Sequence, residues 1–164
     1  MAMAQEERQP LAADGPNGHW HDDLSEVWKD DTICCASVCL PCWRWSNTMS
    51  RAGILSFRVA LVLHSLVYLV PLVALVLVGV LASEAAKNGT LSFPAIILSI
   101  VFWASILAGL YLCTWGRGQL RRRYNIPGDR GSDCWAHSRS HYSALAQEAR
   151  HVEASEQRAA ALPA

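Results

Sequence analysis

Charged residues are scarce in this chain, and the two signs balance. They make up 17% of 164 residues, with 14 Lys and Arg against 14 Asp and Glu, which gives a formal net charge of zero. A neutral chain lacks the overall basic field that brings proteins to nucleic acid. We therefore expect no nucleic-acid partner.

Catalytic sequence motifs are also missing. The chain contains no HExxH zinc motif, no glycine-rich phosphate loop and no recognisable pairing of a nucleophile with a base. No apolar run lies near Met1, so no cleavable signal peptide is expected. These absences predict a protein that is not an enzyme and whose first apolar segment is its own targeting signal.

Hydrophobic residues are abundant instead, at 52% of the chain, and they concentrate in two runs. Within residues 59–82 the only side chain that ionises near neutral pH is His64, and residues 95–115 carry no charge. At about 1.5 Å per helical residue the first run spans roughly 36 Å, and the hydrocarbon core of a bilayer is about 30 Å thick. Both runs are therefore predicted to be transmembrane helices.

Basic residues flank the two runs on their outer sides. The loop between the runs, residues 83–94, contains Lys87 as its only basic side chain. The positive-inside rule therefore places both flanks in the cytoplasm. Asn88 begins a glycosylation sequon in the loop, on the permissive side but only about six residues beyond the first run. The flanking arginines are Arg44, Arg51, Arg58, Arg117, Arg121, Arg122 and Arg123.

The sequence thus predicts an all-α membrane protein built on a two-helix transmembrane hairpin. A cysteine-rich N-terminal segment and a C-terminal helix from Asp133 to Ala154 are placed on the cytoplasmic side. Residues 1–19 and 151–164 are polar or alanine-rich, and we expect them to be mobile tails around a domain of residues 20–150.

Few polar side chains lie within the runs. An ionisable group at depth is costly in lipid, so His64 is a candidate for a membrane path, with an interhelical hydrogen bond as the alternative. Ser105 is a second candidate, and its spacing from Gly109 is also typical of closely packed helices. Pro71 is expected to kink the first helix. Four tryptophans are interpreted as anchors at the membrane interface: Trp20, Trp28, Trp43 and Trp45.

Four cysteines fall within residues 34–42, on the predicted cytoplasmic side. Structural disulfides are unlikely in a reducing compartment, which leaves three interpretations. Thiolates this close together can bind zinc or another soft metal. Juxtamembrane cysteines can instead carry palmitoyl chains, or they can simply pack. The four are Cys34, Cys35, Cys39 and Cys42.

A second set of potential metal ligands lies beyond the second run. Cys134, His137 and His141 follow each other at i, i+3 and i+7, which places them on one face of the predicted C-terminal helix. Together with the first cluster they form the tentative metal site. The alternative is that the histidines are simply solvated.

Two ordered blocks of residues, together covering about 20–150, resemble the placenta-specific gene 8 family. This family includes plant cadmium resistance and cell number regulator (fruit-weight) proteins. The first block is Trp20 to Leu24 followed by Cys34 to Cys42. The second is Arg117 to Tyr124, Ile126, Gly128, Asp133-Cys134, His137, Ala144-Leu145, Gln147-Glu148 and Arg150.

The resemblance implies a function in membranes and suggests which metal ions are involved. Some members of the family are linked to heavy-metal resistance and transport, some to calcium influx and some to control of cell number. Many members have further cysteines where this chain has Val27, Ser140, Ser143 and Ala146. Their loss weakens the expectation of metal handling more than it weakens membership, and His141 is a hypothetical replacement for one ligand.

We therefore expect a homo-oligomeric plasma-membrane protein that permits or regulates the movement of a divalent metal ion (Cd, Zn or Ca) or metal tolerance. A two-helix hairpin cannot enclose a polar path alone, which is why several copies are expected. The alternative is a palmitoylated, membrane-anchored regulator or scaffold in growth or cell number control.

Overall fold

A computed structural model describes residues 19–26, 29–88 and 93–161. Every regular element in these ranges is helical, which confirms the expected all-α class for the described part of the chain. The helices are α1 (Asp31–Cys39), α2 (Pro41–Arg51), α3 (Phe57–Asn88), α4 (Phe93–Arg123) and α5 (Arg130–Ala161). Residues of the predicted N-terminal tail, 1–18, lie outside the described residues, as does Trp28.

Helices α3 and α4 contain the two apolar runs and extend past both ends of each run. They are 32 and 31 residues long, and their most apolar stretches have mean hydropathies of 2.6 and 2.3. Each is long and apolar enough to cross a membrane. Only 6% and 11% of these stretches are buried within the molecule, whereas the core helix of a water-soluble fold is mostly buried. Pro71 lies inside α3, and the helix continues through it.

The two long helices pack against each other over much of their length. Gly109 of α4 is buried against α3, and a Cβ atom added to it would lie 2.4 Å from Cγ1 of Val67. A larger residue would therefore push the helices apart, which explains why a small residue stands here. Ser105 donates its hydroxyl to the carbonyl of Phe102 in its own helix.

The short helices α1 and α2 pack beside the long helices, α2 against α3 and α1 against α5. Asp30 caps α1 by accepting a hydrogen bond from the Ile33 amide at 3.0 Å, and Pro41 begins α2, where its missing N–H costs nothing. Trp45 and Met49 of α2 are fully buried and pack with Leu120 of α4. The interpretation of Trp45 as an interfacial anchor is therefore wrong, because its ring lies in the core.

Helix α5 packs against α1, α2 and α4 and closes the core. It begins at Arg130, close to the predicted start at Asp133, and runs on to Ala161, beyond the expected end at Ala154. Ser140 has non-helical angles (φ −148°, ψ 65°), so α5 is two helical segments joined at a kink. Leu145 and Val152 of the second segment join the core around Trp45.

The segment before α1 docks on α4 and α5. The Arg117 guanidinium lies 4.1 Å from the centre of the Trp20 ring, and the ring of His151 meets Trp20 edge-on. Asp22 is buried and forms ion pairs with Arg150 at 2.8 Å and Lys29 at 2.6 Å. The N-terminal segment is thus joined to the end of the domain by aromatic and ionic contacts.

Candidate metal centre

His64 and Cys113 meet at the base of the hairpin. His64 lies two turns into α3, and Cys113 lies in the last third of the antiparallel α4, so the two side chains reach the same level. His64 Nε2 and Cys113 Sγ are 3.5 Å apart, and both residues are buried. The Trp45 ring stacks on the His64 imidazole with ring centres 4.8 Å apart, which fixes its plane.

The kink in α5 brings a third ligand to this pair. His141 directly follows Ser140, and its ring lies nearly parallel to the His64 imidazole, with ring centres 6.1 Å apart. One nitrogen or sulfur atom from each of His64, Cys113 and His141 lies within 4.8 Å of the other two. Among the described residues this is the only group of three or more such ligands that is so close together, and we call it the triad.

The donor set of the triad fits a borderline-soft metal ion. Two imidazoles and one thiol are ligands that zinc and related ions prefer. With zinc bonds of about 2.0 Å to nitrogen and 2.3 Å to sulfur, ligand atoms in a tetrahedral site lie roughly 3.5 Å apart. Small side-chain rotations are therefore enough for the triad to hold an ion. Three protein ligands would also leave a position open to a fourth, exchangeable ligand.

A chain of hydrogen bonds orients His141. Tyr68 Oη lies 2.7 Å from His141 Nε2, and His137 Nδ1 lies 3.4 Å from His141 Nδ1. His137 Nε2 in turn lies 3.0 Å from the Glu148 carboxylate, which can only accept when it is ionised. In its neutral form His137 therefore donates from Nε2 and accepts at Nδ1 from the N–H of His141. This leaves the lone pair of His141 on Nε2, where it accepts the Tyr68 hydroxyl, and a metal ion at this nitrogen would displace that hydroxyl. A partner that holds the other ring nitrogen is typical of metal-binding histidines.

Buried charged groups hold this series of hydrogen bonds in place. Glu148 is fully buried and accepts a hydrogen bond from Arg117 at 3.2 Å, while Arg117 also lies 3.4 Å from Asp133. Burial alone would raise the pKa of Glu148, but the neighbouring His137 and Arg117 lower it below its usual value. Arg121 holds the same Asp133 at 2.6 Å. The network ties α4 to both segments of α5.

His141 is neutral at physiological pH. Burial lowers the pKa of His141 to about 4, and the positive charge that His137 carries when it is protonated adds to this shift. A metal ion therefore does not have to compete with a proton for this imidazole at neutral pH.

The cysteines of residues 34–42 are placed differently from one another. Cys34 is buried, while Cys35 and Cys39 are exposed with their Sγ atoms 3.8 Å apart. Cys42 is half-buried, and this burial raises the pKa of its thiol. Cys134 is half-buried on α5. The structure does not gather these thiols around His141, so the larger site expected from the sequence stays a prediction.

Sequence analysis selected His141 as a ligand and His64 as a path residue but did not connect them. Cys113 was not among the candidate residues. The signal that was available is depth: His64 lies five residues and Cys113 two residues inside the cytoplasmic ends of the two predicted spans. In an antiparallel hairpin these positions are within about one helical turn of the same level. The kink at Ser140 has no comparable signal in the sequence.

The comparisons with known proteins identify the family. The sequence model of the PLAC8 family matches residues 20–151, which is most of the chain. The chain belongs to the PLAC8 family. No curated protein and no solved structure matches it in the corresponding comparisons.

The PLAC8 match covers the triad and all the buried charges described above. Of the positions where the resemblance leads us to expect cysteine, Ser140 forms the kink and Ala146 is fully buried against Ile33 and Ala149. Val27 lies outside the described residues. This PLAC8 chain therefore has packing or backbone roles at two positions where others are expected to have thiols.

Proposed function

We propose that this PLAC8 chain is an integral membrane protein of the plasma membrane that permits or regulates the movement of a soft divalent cation. The observation that carries the proposal is the triad, a soft-metal donor set near the arginine-flanked ends of two membrane-length helices. The family also supports a place among cadmium resistance and cell number regulator proteins.

Membrane insertion is supported by the surface of α3 and α4. Large apolar residues cover both helices, among them Leu72 at 57% exposed and Leu107 at 66%. A continuous apolar surface of this size needs a cover, and helices of this length match the bilayer. The unequal distribution of arginine supports the orientation with both termini in the cytoplasm.

In this arrangement the chain acts by binding rather than by catalysis. The triad captures the ion at the cytoplasmic end of the hairpin, and His137 with Glu148 keeps His141 ready to bind. Two helices cannot surround a polar path, so movement of the ion through the membrane requires several copies of the chain.

Replacing one triad ligand should test the proposal. We expect Cys113→Ser and His64→Ala to weaken the binding of zinc or cadmium to the purified protein by about tenfold or more. Even the mutation of residues that only hydrogen-bond to metal ligands lowers metal affinity by about this factor. The measurement is isothermal titration in detergent micelles, together with the metal content of cells at matched protein abundance. His19→Ala is the matched control, because His19 is exposed and distant in sequence from the triad.

Two outcomes would contradict the proposal. If the wild-type protein binds neither metal, the chain has no soft-metal site. If Cys113→Ser binds as tightly as the wild type while serine at all four cysteines of residues 34–42 abolishes binding, the ion is held by the N-terminal cluster instead.

The second candidate function is a lipid-anchored regulator or scaffold. Cys35 and Cys39 are exposed beside the exposed apolar side chains of Val38, Leu40 and Trp43, as an acylated, membrane-apposed surface would require. Hydroxylamine cleaves thioesters, so a mass shift on treatment that disappears in Cys35→Ser/Cys39→Ser would favour this function. An unchanged mass in the wild type would exclude it.

A further inference from the structure

We propose that the cytoplasmic end of α4 carries a binding site for the headgroup of an anionic phospholipid that presents a phosphate monoester. The site is an open cavity of about 430 Å³ between α4 and the turn after α2. Its lining residues are Ile54, Trp115, Gln119, Arg122 and Arg123. The inference rests on the proposal that α3 and α4 span a bilayer, and it is independent of the triad.

The position of the cavity matches the depth of lipid headgroups. Trp115 is the last residue of the apolar run, and Gln119, Arg122 and Arg123 follow it at i+4, i+7 and i+8, on one face of α4. An indole at the edge of the hydrocarbon followed by basic side chains is the order in which a lipid presents its chains and then its phosphate. Ile54 adds apolar surface from the other wall.

The charges of the cavity also select an anion. None of its lining residues is acidic. Three arginines at this end form ion pairs within the molecule: Arg51 with Glu156, Arg117 with Glu148 and Arg121 with Asp133. Arg122 is exposed and forms no ion pair with any described residue, so its guanidinium is available to a ligand from outside.

The chemistry of the lining favours phosphate over other anions. Arginine presents a planar set of donors that matches phosphate oxygens in pairs, and the Gln119 amide can donate a further hydrogen bond. A volume of about 430 Å³ also falls within the range of small-molecule sites, which leaves room for more than a bare ion. Basic pockets on the cytoplasmic side of transmembrane helices are a known type of headgroup site.

The test uses the purified full-length protein in neutral phosphatidylcholine nanodiscs. Short-chain phosphatidylinositol 4-phosphate is titrated in, and binding is followed by native mass spectrometry. Arg122→Gln/Arg123→Gln should weaken binding by about tenfold or more, because it removes the charge-assisted hydrogen bonds to the phosphate. Arg122→Lys/Arg123→Lys keeps the charge but loses the paired geometry, and it should give a smaller loss.

The matched control is Arg58→Gln/Arg130→Gln, which removes two exposed arginines outside the cavity. An equal loss in this control would show a diffuse charge effect and would overturn the site, as would unchanged binding in Arg122→Gln/Arg123→Gln. Displacement of the lipid by millimolar inorganic phosphate would also overturn it, because the site would then be one for free phosphate. A protein that does not enter nanodiscs would refute the membrane proposal instead.

Discussion

Replacing Glu148 with alanine should destabilise the docking of α5 by about 3–5 kcal/mol, because it leaves buried cationic groups without their partner. Glu148 is fully buried and lies within hydrogen-bonding distance of Arg117 and His137. Without this carboxylate the Arg117 guanidinium, which is only 4% exposed, keeps Asp133 as its one carboxylate partner. The expected result is early cleavage within α5 in pulse proteolysis of the protein in detergent micelles.

Two variants separate the buried charge from the general effect of losing a glutamate. Glu156→Ala lies on the same helix, but Glu156 is 37% exposed in its ion pair with Arg51, so we expect a loss of only about 0–1 kcal/mol. Glu148→Gln keeps the volume and one hydrogen-bond acceptor, and it should fall between the two. If Glu148→Ala resists proteolysis as well as Glu156→Ala does, the buried network does not hold α5.

The sequence contains enough information for the two long helices because each is specified locally. An uncharged stretch such as residues 95–115 needs no knowledge of the rest of the chain to be recognised as membrane-length. The structure extends both helices beyond the apolar runs, since polar residues such as those around Arg121 can continue a helix after the apolar run ends. Helix α5 is also specified locally by its composition, but its kink is not.

The triad could not be predicted as a unit because its parts come from three helices. Sequence proximity favoured the cysteines of residues 34–42, yet neighbours on one helix do not converge: Cys34 faces the core while Cys35 and Cys39 face outward. His64 and Cys113 are brought together by the antiparallel packing that Gly109 permits. Ligands from different helices converge only when those helices pack together. A single sequence contains little information on which distant segments pack against each other.

The arginines used to predict the orientation of the hairpin also make contacts that the sequence did not predict. Arg117 and Arg121 both hold α5 through Asp133. Glu148 was noticed only as part of a family pattern, although it orients the His137 imidazole that contacts His141. The stability of α5 and the geometry of the triad therefore depend on the same carboxylate.

Lowering the pH should release the N-terminal segment from α5, because His151 is neutral in the folded protein. The His21 amide donates to Nδ1 of His151 at 3.2 Å, and the rings of Trp20 and Tyr124 meet its imidazole edge-on. Burial, followed by the nearby charges of His21, Arg158 and Arg117, lowers the pKa of His151 to about 4. A proton on Nδ1 would also remove the acceptor for the His21 amide.

The direction of this pH dependence of docking follows from proton linkage. The undocked segment leaves His151 with an ordinary pKa of about 6.5, so between this value and about 4 the undocked form binds more protons than the docked form. The stability of docking is therefore complete above pH 6.5 and decreases as the pH falls, by about 2 kcal/mol at pH 5. Limited proteolysis before α1 should become faster over this range, while carboxylates such as Asp22, whose pKa is lowered, remain ionised.

His151→Asn is the variant that tests the assignment, because its side-chain oxygen can still accept from the His21 amide but does not titrate in this range. We expect its cleavage before α1 to be almost independent of pH between 7 and 5. His141 also has a lowered pKa, but it lies beside the triad, and its protonation would affect the whole α5 contact rather than the segment before α1. Equal pH dependence in the wild type and in His151→Asn would therefore assign the transition to another group and refute the role of His151.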